Sequence, residues 1–556
     1  MVMYSTSVFC AEKQSIFQGT NVVNPTTDLV YLGAFQLPNI IYHKTTWSYG
    51  GQGMCFYPKG NPNRNPTTEL PGSLFIIGRH SNNTYRVAEV SIPKSVISNN
   101  KNLKRLPVAK MLQLFADLTG GKQSGALAGG HRMTDIQYIS KELSGSQDDY
   151  IYWLLFEFYL PPCQSLILGR TKGTDFSICE YSAICPAEGL WRVKNVCAAA
   201  VQRYMFTIPK SFADKYLNGK YLAVGRFRVL NGGSWGPALF AIAPWKYENV
   251  QGNIPNGTVI DGVKLIFYPG HDKPYHLNDK RMLEDFSNGD EWSDGVWITI
   301  GKKSAIIIAG RKALRTMKNG LEYYGLPGPY GSFAKGFQAE PYYHVLLFYD
   351  PKDVVKVIKR KIKPYEIQPY TFFQFEKYLF KPGNGGFGGV AYDQEHQLLY
   401  IIERDVGRFG AKYDRSPIVH VFKIIDSHEP LDTQPPTTPK NLRVENITEK
   451  TITIKWDPVS DDKGNVIYVV YRIDAKPNYR AHWLYHITWT SKGMNDPICK
   501  VSKPVPIAIT IKPEFKDSKA YAFVFPQKYL VRAYDSVMNA SDFSSVLIIQ
   551  KLRSSY

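Results

Sequence analysis

Long apolar runs are missing from these 556 residues. None reaches the roughly 18–20 residues that a membrane-spanning helix needs. The longest, Tyr150–Leu160, is strand-sized and interrupted by Glu157, so no transmembrane segment is expected. The opening MVMYSTSVFCAEKQ lacks a basic segment and a full apolar stretch. Residues 1–27 therefore read as an N-terminal segment, at most the remnant of a trimmed secretion signal ending near Cys10 or Ala11. No C-x-x-C pair occurs, which argues against a structural zinc site, and no C-x-x-C-H attaches a haem. Zinc-finger, phosphate-loop and RNA-binding signatures are absent, which disfavours nucleic acid as a partner. A hydrolase built on a Ser–His–Asp triad is discarded: the G-x-S-x-G string at Gly232–Gly236 runs into the strand-like Pro237–Pro244 instead of a helix, so it does not read as a nucleophile elbow. No spaced His/Asp cluster supports a metal site, and no cofactor is expected beyond structural calcium in a loop.

Acidic residues are also scarce: 48 Asp and Glu face 67 Lys and Arg, a net charge of +19. This excess favours anionic partners, an acidic polysaccharide or another surface polymer, over neutral ones. The competing reading is a diffuse solubilising charge, and Lys356–Lys363 looks like a solvated strand or turn face. Of seven cysteines, Cys163, Cys179, Cys185 and Cys197 crowd together with gaps of 16, 6 and 12 residues. Two disulfides stapling an irregular excursion fit that spacing, and they place the protein outside the cytoplasm, secreted or at the cell surface.

Aromatics are abundant at 14%, with 37 Tyr, 44 Gly and 36 Pro. Such a mixture suits short strands and tight turns, and the fold class expected is all-β. One phrase recurs five times, an apolar strand ending in a charge: Leu74–Arg79, Trp153–Glu157, Leu222–Arg226, Ile306–Arg311 and Tyr400–Arg404. The charged ends lie 78, 69, 85 and 93 residues apart. Strands precede each copy at Gly50–Pro58, Met133–Ile139, Arg203–Pro209, Asp294–Ile300 and Gly388–Asp393. Others follow at Arg86–Pro93, Ser165–Gly169, Pro237–Pro244, Tyr343–Pro351 and Ile418–Ile424. Repetition on this scale predicts a five-bladed β-propeller over residues 28–427. The stretches 95–130, 170–200 and 246–290 leave room for a sixth or seventh blade, and irregular β-sandwiches are the alternative. Short helices are expected only at Ser211–Leu217 and Pro351–Ile358.

At residues 428–440 the composition turns to a Pro/Thr linker, and residues 441–556 read as a second domain. Pro435-Pro436, Pro439, Asn441-Leu442, Ile452/Ile454 running into Trp456-Asp457-Pro458, Tyr468–Arg472 and Tyr529–Asp535 follow in order, then Asn539 and Ser541. In that order and spacing the segment resembles a fibronectin type III domain. The resemblance implies a two-sheet sandwich around Trp456, a packed late tyrosine and an extracellular setting, without catalysis. The chain departs from the family at about 474–527, where an insertion containing Cys499 is expected. Tyr31–Pro38, Ser73–Arg79 and Arg86–Pro93 are similar to segments of secreted bacterial β-propeller-like proteins of unassigned activity. That likeness implies a fold and no reaction.

Radial repetition would bring the strand ends to one mouth, gathering Arg79, His80, Arg132, Glu157, Arg226, Arg228, Arg311 and Arg404 near Asp135 and Asp294. A ring of Arg suits bidentate recognition of carboxylate or sulfate groups. Trp47, Trp235, Trp292 and Tyr159 are candidates to stack on sugars. The rival is structural: each Arg pairs with a carboxylate of the next blade, with Glu157 and Glu403 the obvious partners. For catalysis, Asp135, Glu157 and Asp294 are the candidate carboxylates of a glycoside hydrolase. His131 or His80 is the candidate base of a uronate lyase. The expectation is a secreted or surface protein binding an anionic carbohydrate at the propeller mouth, with the fibronectin-type module as spacer. The alternatives are a carbohydrate-active enzyme using the same mouth and a structural layer or fibre protein.

Overall fold

The computed structural model describes residues 21–124, 131–157, 164–180, 184–228, 234–269, 281–284, 286, 290–314, 341–382, 386–407, 415–448, 450–464, 466–473, 504–518 and 526–550. Among them the chain is all-β, with strands in seven sheets. Helices are confined to connections, α1 (Lys141–Ser144), α2 (Lys210–Tyr216) and α3 (Pro351–Ile358). Pro351 opens α3, and the Asp350 carboxylate accepts the Lys352 N–H at 2.8 Å to cap it.

Strand β1 (Leu29–Gln36) is set aside for the last of five similar sheets. The first sheet holds β2 (Thr45–Thr46), β3 (Met54–Tyr57), β4 (Glu69–His80), β5 (Tyr85–Pro93) and β6 (Met111–Ala116). The second begins with β7 (His131–Ile139), β8 (Tyr150–Glu157), β9 (Leu168–Lys172) and β10 (Ala187–Val193). The third begins with β11 (Tyr204–Thr207), β12 (Leu222–Gly225) and β13 (Leu239–Ile242). Then β14 (Val259–Ile260) returns to pair parallel with β10, and β15 (Val263–Ile266) completes the third sheet. The fourth is β16 (Glu291–Ile300), β17 (Lys303–Ala313), β18 (Tyr342–Tyr349) and β19 (Thr371–Gln374). The fifth is β20 (Phe387–Asp393), β21 (Leu398–Gly407) and β22 (Ser416–Ile424), with β1 antiparallel on β22. The stretches with room for hidden blades instead supply outer strands of these five sheets: β6, β10, β14 and β15.

Every copy of the repeated phrase lies on the second strand of its sheet, β4, β8, β12, β17 or β21. These strands read as unbroken apolar runs because both faces are buried. In β17, Ile306 and Ile308 face one core cluster while Ile307 and Ala309 face another. In β4, Phe75 and Ile77 divide from Leu74 and Ile76 in the same way. Each fully buried Ile or Leu contributes about 1.5–3 kcal/mol, so these strands anchor the fold. The first strands lie against one another in order: β3 on β7, β7 on β11, β11 on β16, β16 on β20, and β20 back on β3.

Two further sheets follow the linker: β23 (Arg443–Ile447), β24 (Ile452–Lys455) and β27 (Glu514–Asp517) form one. The other holds β25 (Ile467–Ile473), β26 (Val505–Thr510), β28 (Gln527–Tyr534) and β29 (Leu547–Ile549). Trp456, Ile454, Tyr468, Val470, Tyr529 and Val531 fill the core shared by these sheets. Strands β26 and β27 lie within the stretch read as an insertion, so that part of it belongs to the sheets. Residues 474–503 and 519–525, with Cys499, lie outside the described residues. Val469, Tyr471 and Leu530, on the opposite face of β25 and β28, are buried as well and pack with Leu314. The Gln374 N–H at the edge of β19 donates to the Ser536 carbonyl at 2.8 Å. The module therefore rests on the fourth sheet, which the spacer expectation did not include.

Candidate functional site

Antiparallel pairing places the start of each first strand opposite the end of its phrase. His131 stands opposite Glu157, Tyr204 opposite Gly225, Glu291 opposite Arg311, and Phe387 opposite Glu403. Arg79 lies at the same end of the first sheet, where the Gly51 N–H donates to the Ile77 carbonyl at 2.6 Å. Bulges interrupt three of these pairings, between Met133 and Asp135, Trp292 and Asp294, and Phe387 and Val390. A bulge re-aims the side chain beside it. Here two of the re-aimed side chains are aspartates.

Asp135 and Asp294 are 1% and 0% exposed. Each reaches across to the first strand of the following sheet. Asp135 accepts the Met205 N–H, and Asp294 accepts the Val390 N–H, both at 2.6 Å. Burial, opposed by the Met205 and Ile136 N–H groups, pushes Asp135 up to about 8. Burial and then the neighbouring Asp135 hold Asp294 well above the usual carboxylate range. Nothing larger than glycine fits beside them: a Cβ on Gly53 would lie 2.5 Å from the Asp135 carboxyl, and one on Gly389 2.3 Å from the Met54 nitrogen.

Arg203 shares this buried layer, its Nε donating to the Ser293 carbonyl at 3.0 Å. Burial, then the nearby Arg404 guanidinium, lowers it to about 10 against the pull of Asp135 and Asp294. Repeat-phrase reasoning missed Arg203 because it opens a strand instead of closing one. Its position directly before Tyr204 was the available signal.

The expected site residues divide into three groups. Arg311 and Arg228 are committed to Glu291, at 2.8 and 3.7 Å. Burial alone would raise Glu291, but Arg311 and Arg228 outweigh it and hold it low. His131 lies 3.7 Å from Glu157, which also accepts the Ser165 hydroxyl at 2.7 Å; both are partly exposed. Arg132 is half-buried at the start of β7.

Arg79, Arg226 and Arg404 end their phrases with no carboxylate partner among the described residues. Arg79 lies 5.1 Å from the Tyr49 ring centre and donates to the Asn83 side chain. Among the described residues Arg404 donates to backbone, to Gly50 O at 3.2 Å and Tyr49 O at 3.4 Å. Arg226 is fully buried, and none of its three guanidinium nitrogens has a hydrogen-bond partner. Burial lowers it to about 9. The two partners expected to staple these arginines are engaged otherwise. Glu403 is buried on His420 and the Phe380 and Lys381 N–H groups, and Glu157 on His131 and Ser165. His80 turns away to Asn82, 2.6 Å off.

The tryptophans expected to stack on sugars are core residues: Trp47, Trp235 and Trp292 are 2%, 6% and 0% exposed. Tyr159 lies outside the described residues. Tyr49 is an aromatic at this end. It is partly exposed, with Arg79 and Arg415 near its ring at 5.1 and 5.3 Å. Its backbone sits at φ 59°, a strained position for an aromatic residue, and strain of this kind concentrates at functional sites.

Cys179 and Cys185 form a disulfide, Cys197 is also disulfide-bonded, and Cys163 lies outside the described residues. Cys55 is free and buried. Asp432, Asp461 and Asp462 bring carboxylate oxygens within 4.8 Å of one another where the linker meets the module. No helix among the described residues is long and apolar enough to cross a membrane.

No family model and no curated protein matches this chain. Among solved structures, a member of the DUF4221 family from Bacteroides vulgatus is similar at 10% identity, covering 73% of this chain and 99% of that one, with a TM-score of 0.28. The FN1–FN3 domains of chicken CNTN1 align at 10% identity over 75% of this chain and 98% of theirs, with a TM-score of 0.15. Domains A168–A170 of titin align at 12% identity with a TM-score of 0.14; the match covers 28% of this chain and 41% of that fragment.

Proposed function

We propose that residues 28–427 form a five-bladed β-propeller whose mouth binds an anionic carbohydrate outside the cytoplasm, with a fibronectin type III-like module seated on its rim. The circular order of the first strands and the completion of the fifth sheet by β1 support the propeller. The observation that carries the binding is the pair of partly exposed phrase-ending arginines, Arg79 and Arg404, which have no carboxylate partner among the described residues; Arg226, expected beside them, is fully buried. Guanidinium groups without a carboxylate at one end of the first and fifth sheets, whose first strands β3 and β20 lie together, attract carboxylate or sulfate. Tyr49 adds an aromatic face beside two of the arginines at that end.

Binding takes precedence over glycoside hydrolysis because Asp135 and Asp294 are sealed from solvent and bonded to backbone. One observation favours a second reading, uronate lyase chemistry. His131, a potential base, is partly exposed and oriented by Glu157 on the same strand pair.

A glycan array followed by calorimetry on the full chain separates these readings. Arg79→Ala and Arg404→Ala should each weaken binding of acidic glycans, and added salt should weaken it further. Neutral glycans bound equally well would overturn the proposal. Unsaturated products absorbing in the ultraviolet, lost in His131→Ala, would identify the lyase. Self-assembly without glycan binding would point instead to a structural layer or fibre.

A further inference from the structure

We propose that a cavity at the far end of the first sheet, remote from the mouth, binds a protonated amino sugar. The inference is independent of the anion-binding reading, because it stands on different residues.

The cavity measures about 510 Å³, within the range that holds small ligands. The first sheet and a connection of the second build it. Tyr57 ends β3, Gly60 follows it, Glu89 and Gln113 stand opposite one another on β5 and β6, and Thr174 and Asp175 follow β9. Tyr57 pairs with Ser73, six residues before Arg79 on β4, so the cavity lies roughly 20 Å from Arg79 along that strand.

Glu89 is the residue that marks a site. Along β5, Ala88 and Val90 turn to one apolar cluster and Val87 to another, so alternation calls for an apolar residue at position 89. A carboxylate stands there instead, 5% exposed. Its Oε1 accepts the Ser73 hydroxyl and its Oε2 the Gln113 amide, each at 2.5 Å. Gln113 is itself locked in place: Nε2 also donates to Thr174 O, and Oε1 accepts the Phe176 N–H, both at 2.8 Å. A Cβ on Gly60 would lie 1.8 Å from Ser73 Oγ and 2.8 Å from Glu89 Oε1, so only glycine lets the loop backbone close on the carboxylate. Both donors to Glu89 are neutral, and it forms no ion pair among the described residues. A buried charge left in that state favours the arrival of a cation.

The walls do not supply one. Among the described residues lining the cavity Lys59 is the one cation, and it turns to Asp149 at 3.3 Å and Glu142 at 3.9 Å. Asp175 adds a second, exposed carboxylate, whose Oδ1 accepts the Ser177 N–H and hydroxyl. In a chain of net charge +19 this is a locally acidic hollow. A bare metal ion does not suit it: among the described residues the group of carboxylates tight enough for a metal is Asp432, Asp461 and Asp462. Asn61 and Asn63 bring amides to the lining, and Tyr57, Pro62 and Leu112 bring apolar surface. That mixture meets the hydroxyls and the ring face of a sugar, with its ammonium donating to Glu89.

Titration calorimetry of the full chain at about pH 6, where an ordinary amine is protonated, tests this. It compares a glucosamine oligomer with its N-acetylated form and with a glucose oligomer. The amine-bearing oligomer should bind about tenfold tighter than either, and added salt should weaken it. Glu89→Gln keeps the side chain's shape and should weaken binding by about tenfold. Asp175→Asn, at an exposed position and still able to cap its turn, should weaken it by about threefold and decides the matter if the buried variant misfolds. Arg404→Ala should leave this binding unchanged.

Equal binding of the three oligomers overturns the proposal, because hydroxyls rather than charge would then be recognised. Absence of binding overturns it too, as does a folded Glu89→Gln or Asp175→Asn chain that binds like the parent. A lysine oligomer bound as tightly would overturn the sugar assignment, since it brings the charge without the hydroxyls. A rise in Tm on adding calcium, lost in Glu89→Gln, would put a metal in place of the amine. Failure of acidic glycans to bind touches only the mouth, and failure here touches only this cavity.

Discussion

Glu291 and Arg311 face one another across β16 and β17 with 2.8 Å between Oε2 and the guanidinium, at the register His131 and Glu157 occupy across β7 and β8. Glu291 also holds Arg228, so one carboxylate neutralises much of two guanidinium groups. Glu291→Gln should remove that negative charge from beside both. Affinity for an acidic oligosaccharide should rise by roughly fivefold, about 1 kcal/mol, with a steeper salt dependence. Calorimetry at two ionic strengths reads both, and unchanged affinity would remove Arg228 and Arg311 from the binding face.

Arg226 is the opposite case, a fully buried guanidinium with no hydrogen bond among the described residues. Leaving such a group unpaired is costly. Arg226→Met should leave the ligand-free chain as stable as the parent or more so, by about 1 kcal/mol or more. The same variant should keep the rise in Tm that an acidic glycan gives the parent, because the buried position does not reach a ligand. Denaturant titration with and without glycan reads both effects, and a strongly destabilised Met variant would show that the charge is structurally partnered.

The stability of the chain should depend on pH through the buried aspartates. Asp135 titrates near 8 in the folded chain and near 4 when unfolded, so the folded state binds more protons between those values. Its contribution is therefore complete below about pH 4 and is lost as pH rises through about 8. Asp294, raised by burial and by Asp135, acts in the same sense. Urea unfolding across that window should show stability falling with pH, and a shallower fall in Asp135→Asn. A rise of stability with pH in the parent that Asp135→Asn abolishes would contradict the assignment.

Val469 lies on the face of β25 turned away from the sandwich core, yet it is fully buried. Val469→Asp places a charge in that contact, costing about 3 kcal/mol or more. If the contact joins the module to the fourth sheet, one calorimetric transition should split into two. A variant that unfolds like the parent would show that the face is not needed for docking.

Much of this fold was readable along the chain, and the reason is local. A strand buried on both faces must be apolar at successive positions, so Leu74–Ile77 and Ile306–Ala309 declare themselves without knowledge of their neighbours. Tyr468–Tyr471 carries the same mark: its two faces belong to different cores. The tryptophans misled because an aromatic that stacks on a sugar and one that fills a core look identical in sequence. Arg203 escaped notice because it starts its strand.

The amino-acid order by itself determined the all-β class, the five phrases, and which residues close them with a charge. These follow from burial and turn chemistry within a few residues. Only the tertiary structure decided what each charge meets: Arg311 and Arg228 a carboxylate, Arg404 a pair of carbonyls, Arg226 no hydrogen bond among the described residues, Asp135 the backbone of the following sheet. Charge pairing depends on distances between sheets far apart in the chain and on single-residue bulges, and neither has a local period.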